Sequence, residues 1–296
     1  MTSQADTRPL AAAACMVGSM ALLGFVDNFI ATIAQTVSLW QFLVVRCALA
    51  LPLVGVLAWL GLGSLRPQRL WAIALRSGLV ASGIMCYFAA LAVMPIAQAL
   101  AGLFTSPIFV LLISAVVLGR PIGPWRIAAV ALGFAGTLVV LGVGQDFPGP
   151  VMLLPVAGGL LYALGSIATR ELCADESTVA MLAGILLTQA VLGSVMVAAL
   201  WGGDGVSFVT RPWVWPMTPA LPFIALQAVL SVAGVFLLIR AYQWGEASQV
   251  SALEYTIMIF GPAFAFLLFG APITGTMLAG IGLIMAAGII IAVRSS

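Results

Sequence analysis

Four ionisable side chains lie inside otherwise apolar stretches: Asp27 in GFVDNFI, Arg46 in VVRCAL, Arg76 in LWAIALRSG and Glu254 in SALEYTIMIF. Such groups can hold a charged or zwitterionic ligand, carry protons, or brace one another. What the chain lacks restricts the chemistry further. It has no histidine and no lysine, so all eleven basic residues are arginine. That removes histidine general bases, Ser-His and Cys-His nucleophile pairs and most transition-metal sites. Cys15, Cys47, Cys86 and Cys173 are scattered without CxxC spacing and read as small buried hydrophobes. No two acids pair on one helix face and no Asp-rich metal motif occurs. No catalytic residue, metal or cofactor is expected. The acidic run ELCADES (171–177) sits beside Arg170 and reads as a solvated loop.

These four groups must be positioned by membrane helices. The chain is 63% hydrophobic and 7% charged, with a mean hydropathy of +1.21. A soluble domain carries roughly 25% charged residues. The apolar runs are about 20 residues long, the length of a spanning helix. The expected class is therefore all-α integral membrane, with the lipid bilayer as partner. The net charge of +2 comes with no basic patch, and no nucleic-acid partner is implied. Gly, Pro and charged clusters divide the chain into ten spans: 11–34, 38–60, 70–93, 95–118, 124–142, 151–170, 178–201, 219–242, 247–269 and 273–293. Arg8, Arg66, Arg69, Arg120, Arg126, Arg170, Arg240 and Arg294 then fall at one face, and Arg211 alone at the other. The positive-inside rule makes that face cytoplasmic and places both termini there. Arg8 precedes a first helix that reads as uncleaved. Trp201, Trp213 and Trp215 in the longest connection suit a membrane interface.

The sequence also repeats. A shift of 151 residues lays LWAIALRSGLVASG (70–83) over LPFIALQAVLSVAG (221–234), and LGRPIG (118–123) over FGAPIT (269–274). This divides the chain into a five-helix unit at 1–145 and a second at 146–296. Five is odd, so the second unit enters from the opposite face as an inverted repeat, an organisation in which substrate sits near midplane at the repeat interface. Gln98, Ala101, Thr105, Ile108 and Phe109 recur as Gln249, Ala252, Thr256, Ile259 and Phe260 on one helical face. That face either packs on its own mate or lines a central pathway with its glutamines.

Glu254 lies on another face, with Ser251, Tyr255 and Met258, where the first copy has Leu100, Leu103, Phe104 and Pro107. An acid at a helix centre facing lipid costs roughly 2.5–3.5 kcal/mol, so Glu254 faces a wet cavity or a cation. One reading pairs it with Arg76; the other gives it a substrate ammonium or a coupled proton. Asp27 and Arg46, on successive spans near their shared end, meet either as a brace or as a gate that binds carboxylates. Tyr87, Tyr162 and Trp244 are further cavity-wall candidates, with packing as the alternative. Pro95, Pro107, Pro262 and Pro272 read as kinks or helix starts. The glycine-rich fifth and tenth spans pack on each other, on neighbours, or across a homo-oligomer.

The segments PIAQALAGLFTSPIFVLLISAVVLGRPI (95–122) and EASQVSALEYTIMIFGPAFAFLLFGAPI (246–273), each followed by a glycine-rich span, resemble the drug/metabolite transporter superfamily and its EamA-type ten-helix exporters. The chain is also similar to YddG-like amino-acid exporters. Arg120 departs from the pattern, standing where the family commonly has Glu before proline. The resemblance implies a secondary transporter of the inner (plasma) membrane that exports small metabolites, amino acids first, by alternating access around a central cavity. Another small metabolite of nucleotide, sugar or drug type, and a non-transporting membrane sensor, are the alternatives. No GxxxxGK[ST] sequence is present to use ATP.

Overall fold

The computed structural model describes residues 9–117, 119, 123–140, 149–173, 175–244 and 253–294. Every regular element among them is helical: α1 Pro9–Val26, α2 Ile30–Thr36, α3 Leu39–Trp59, α4 Leu70–Leu91, α5 Ile96–Leu103, α6 Ser106–Val116, α7 Pro124–Val140, α8 Leu153–Leu172, α9 Thr178–Ala199, α10 Leu221–Trp244, α11 Ile257–Phe269 and α12 Gly275–Arg294, with 3-10 turns at Asp27–Phe29 and Gly149–Met152. Helices satisfy their own backbone groups, which a chain in lipid must do. Six stretches are long and apolar enough to cross a bilayer, namely Leu10–Thr36, Leu39–Trp59, Leu70–Leu91, Pro150–Thr169, Thr178–Ala199 and Leu221–Leu238. Four shorter apolar helices, Ile96–Val110, Ile127–Val140, Ile257–Phe269 and Gly275–Ile290, fall in the remaining expected spans.

Three spans are less regular than their hydropathy suggests. The first tightens into a 3-10 turn at Asp27–Phe29. There the Asn28 amide donates to the Gly24 carbonyl at 2.7 Å and to the Gly261 carbonyl at 3.1 Å. A side chain that bonds the backbone four residues back competes with the helix. It also staples α1 to α11 where a Cβ on Gly24 would stand 3.0 Å from the Gly261 nitrogen.

The fourth span breaks at Phe104–Thr105, between α5 and α6. Thr105 donates both its amide, at 3.2 Å, and its hydroxyl, at 2.6 Å, to the Gly102 carbonyl. Pro107 has no N–H to offer the Leu103 carbonyl, so the ordinary helical bond cannot form. The ninth span breaks at the position 151 residues later: Thr256 donates its amide (3.1 Å) and hydroxyl (2.6 Å) to the Leu253 carbonyl. The residue matching Pro107 is Met258, and Pro262 lies within α11. Threonine, rather than proline, is therefore the cause the two breaks share. Of the proline expectations, Pro95 caps α5 and Pro107 opens α6, while Pro272 lies in the stretch before α12.

Packing brings α4 onto α8 and α1 onto α10, α3 onto α9, α7 onto α12, and α5 onto α11. Glycines permit the closest approaches. A Cβ on Gly83 of α4 would stand 2.8 Å from the Gly158 carbonyl of α8, and one on Gly136 of α7 would stand 2.8 Å from the Gly280 carbonyl of α12. The glycine-rich fifth and tenth spans thus pack on each other.

The connections also bind across the bundle. At one end Glu176 is buried and accepts from the backbone amides of Gln68 (2.9 Å) and Arg69 (2.5 Å), capping the start of α4. The solvated reading of the 171–177 run is corrected at this residue: its carboxylate has traded water for orphan N–H groups of a helix start. At the other end the Leu39 amide donates to the Phe208 carbonyl at 2.7 Å, and Arg211 donates to the Ala34 and Val206 carbonyls at 3.0 and 2.9 Å.

Gly158→Val should force α4 off α8 and lower the thermal midpoint in detergent by the equivalent of about 1–3 kcal/mol. Gly78→Ala, on α4 with nothing within 4 Å of the added carbon, should leave the midpoint unchanged or raised by up to about 1 kcal/mol. Scanning fluorimetry of the purified variants checks both.

Candidate functional site

Arg46 of α3 sits among α4, α9 and α10 and is 7% exposed. Its guanidinium is solvated by neutral groups. Nε donates to Gln227 Oε1, Nη1 to Gln189 Oε1 at 2.8 Å, and Nη2 to Ser231 Oγ at 3.1 Å. The Phe88 ring centroid lies 5.5 Å from the guanidinium carbon, in cation–π range. Asp27 accepts a hydrogen bond from Tyr87 Oη at 3.0 Å, and Gln227 stands between the two charges and polarises both.

The sequence reading therefore brought together the right residues with the wrong contact. Asp27, Arg46 and Tyr87 do converge, but no direct Asp27–Arg46 ion pair forms. A planar fork offers five donors in fixed directions. Two amides and a hydroxyl from α9 and α10 take three of those directions, and the carboxylate compensates the charge at one remove. Gln189, Gln227, Ser231 and Phe88 were missed. A signal existed for Gln227, which the 151-residue shift places opposite Arg76.

Arg76 occupies the corresponding place in the first half. Its Nε donates to Thr169 Oγ1 at 2.9 Å and its Nη1 to the Met181 carbonyl at 3.3 Å, joining α4 to α8 and α9. Tyr162 of α8 is half-buried and lies within electrostatic reach of both Arg76 and Glu254. Glu254 is half-buried beside the ninth-span break, and its field also reaches Tyr255.

Tyr255 is buried beside the ninth-span break. Its ring meets that of Phe104 with centroids 5.7 Å apart, so the two breaks face one another. A Cβ on Gly288 of α12 would fall 2.3 Å from the Tyr255 ring, so α12 has a flat seat for it. Leu100 likewise presses on Gly261, 2.8 Å from where a Cβ would be. The mate contact between the fourth and ninth spans is thus made by the Leu100–Phe104 and Tyr255 face. On the face identical in both copies Ile259 is exposed, and Gln249 and Ala252 lie outside the described residues. Aromatic and aliphatic groups fill this junction better than a polar face that needs partners.

Of the other candidates, Met258 is fully buried and packs in the core. Gln98 is half-buried on α5. Trp244 is half-buried with the Arg240 guanidinium 5.8 Å from its ring. Gln249 lies outside the described residues.

Residues 10–142 and 149–293 each match the EamA-like transporter family. The chain belongs to that family. Relatives with curated names include a riboflavin transporter of Rhizobium johnstonii, 31% identical over 78% of this chain and 73% of the relative. An S-adenosylmethionine uptake transporter of Rickettsia bellii is 23% identical over 73% of this chain and 70% of its own. The pseudopaline exporter CntI of Pseudomonas aeruginosa is 26% identical over 62% of this chain and 61% of its own. A crystal structure with 22% identity, matched over 96% of this chain and 98% of its own, has a TM-score of 0.68 and shares the fold. With its long apolar helices, this EamA chain is a multi-pass membrane protein of a small-molecule transporter family.

Arg46→Met should strand the amides of Gln227 and Gln189, lowering stability by about 3–5 kcal/mol. Arg46→Lys should lose nearly as much, because an ammonium cannot span three acceptors arranged for a fork. Chemical or thermal unfolding in detergent checks this, and full recovery with lysine would refute the fork geometry.

Proposed function

We propose that the chain is a secondary transporter of a small metabolite in the inner membrane, working by alternating access between inverted repeats at 1–145 and 146–296, with ten spans and both termini cytoplasmic. The observation that carries this reading is the pair of broken helices whose breaks, 151 residues apart, meet through Phe104 and Tyr255. Broken helices near the centre of a bundle are where transporters bind their load. The packing supports the repeat. Exchanging the two halves turns the α4–α8 contact into α10–α1 and the α4–α9 contact into α10–α3, and leaves α3–α9 and α7–α12 unchanged. Gly119 and Gly270, also 151 apart, share the same left-handed φ of +63° just after α6 and α11.

Riboflavin is the first substrate to test. A relative of that name is 31% identical, and the Phe104–Tyr255 aromatic pair offers flat faces on which a planar heterocycle could stack. Amino-acid export is the second reading, favoured by buried charges of both signs at Arg46 and Glu254. Proteoliposomes preloaded with unlabelled solute should take up labelled riboflavin by counterflow, saturably. Tyr255→Ala should weaken that uptake about 5–10-fold, the equivalent of roughly 1–1.4 kcal/mol of lost ring contact. Counterflow of amino acids alone would favour the second reading. Saturable binding with no counterflow would favour a sensor.

Glu254 is the candidate proton or ammonium carrier. Glu254→Gln should abolish the pH dependence of transport while keeping the wild-type thermal midpoint. Wild-type rates at every pH would remove Glu254 from the coupling. A fall in the midpoint shared with Arg76→Gln would make it a brace.

A further inference from the structure

A cavity of about 40 Å³ opens beside Arg46, lined by Gln189 and Ser231 and walled by Ile84, Leu182, Ile185 and Val235. Its polar groups are unbalanced. Gln189 is 1% exposed, and its Oε1 is committed to Arg46, which fixes the amide orientation and leaves Nε2 as a donor. Among the described residues, Gln189 Nε2 has no hydrogen-bond partner. A guanidinium has five N–H groups. Three of Arg46's go to Gln227, Gln189 and Ser231, which leaves two. Ser231 gives its own proton to the Ala228 carbonyl at 3.3 Å. The cavity therefore presents donors and a positive charge between aliphatic walls.

We propose that this cavity is a binding site for one compact anion, seated between the Arg46 guanidinium and the Gln189 amide nitrogen. The occupant must accept hydrogen bonds from several directions and has few acceptors to which it could donate. A halide or a single carboxylate meets that requirement, whereas a water must place its own two protons. The volume admits a monatomic ion or one carboxylate head, about the space of one or two waters. The charge balance points the same way. Arg46 has no carboxylate in direct contact, and Asp27 is already engaged by Tyr87. An unpaired buried cation is costly, and an adjacent anion relieves that cost. The ionisable groups around the site are Arg46 and Cys47 of α3, Asp27 at the end of α1 and Tyr87 of α4; α9 and α10 contribute the neutral Gln189, Gln227 and Ser231. The halide source is independent of the solute carried, whereas the carboxylate source rests on the transporter reading.

The two sources of such a group are a free halide and a carboxylate on the transported solute. The test is thermal unfolding of the detergent-purified protein at fixed pH and ionic strength. Sodium isethionate, which carries no carboxylate and whose tetrahedral sulfonate is bulkier than a carboxylate head, is replaced stepwise by sodium bromide or by sodium formate. A saturable rise of about 2–4 °C near ten times the apparent Kd is expected for the occupant's chemistry. A bromide response assigns a halide site, and a formate response without bromide assigns a carboxylate subsite. Gln189→Glu sets a carboxylate against Arg46 from within, so it should raise the midpoint in isethionate and flatten the anion response. If that variant fails to fold, bromide soaked into wild-type crystals should give an anomalous peak between Arg46 and Gln189. No saturable response to either anion, an undiminished response in Gln189→Glu, or a bromide-free site would each overturn the proposal.

Discussion

A chain that lives in lipid must solvate its own polar groups, and the guanidinium of Arg46 makes that constraint concrete. Two amides, a hydroxyl and an aromatic face replace the water it has lost. They come from α4, α9 and α10, so satisfying one side chain fixes how four helices meet. Asp27 and Tyr87 extend the network to the end of α1. Where hydrophobic contact gives little preference for one helix neighbour over another, directional bonds of this kind specify the arrangement.

The same constraint governs the irregular backbone. At Phe104–Thr105 and Tyr255–Thr256 the helical ladder lapses, and each threonine hydroxyl adds a second bond to a carbonyl that its own amide also engages. Gly159 of α8 packs directly on the first break, with a Cβ position only 2.8 Å from the Leu103 carbonyl. Gly288 does the same for the ring of Tyr255. Breaks sheltered by protein survive in a membrane, and they supply backbone that can re-bond at little cost during a conformational change. This is the physical basis for placing the moving centre of the proposed transporter at the Phe104–Tyr255 contact.

Much of the architecture was legible in the sequence, because a hydrophobic run of spanning length has few other fates. The described helices lie along the expected spans to within a few residues at most ends, while the doubled pattern at a 151-residue shift paired the two segments without revealing their breaks. What was not legible is instructive. Gln189 and Gln227 are lone amides in apolar runs, and a single amide carries no periodicity to read. Asp27 and Arg46 looked like partners because opposite charges in lipid need one another; the geometry of the arginine fork, which hydropathy does not encode, let Gln227 come between. The repeated Gln98–Phe109 face looked like the mate contact because it was identical in both halves. The actual contact uses Phe104 and Tyr255, which differ, since a self-facing junction needs complementary shape rather than identical residues. Glu176 read as solvated because acidity alone does not reveal a helix start waiting for a cap.

The central claim is that the two broken helices part and rejoin at their mutual contact as the protein works. Cysteines at positions 104 and 255, in a chain with Cys15, Cys47, Cys86 and Cys173 replaced by serine or alanine, can be joined by a short reversible crosslinker in proteoliposomes. Counterflow of the transported solute should stop when the crosslink forms and return when reductant cleaves it. Full-rate counterflow through the crosslinked protein would contradict the account.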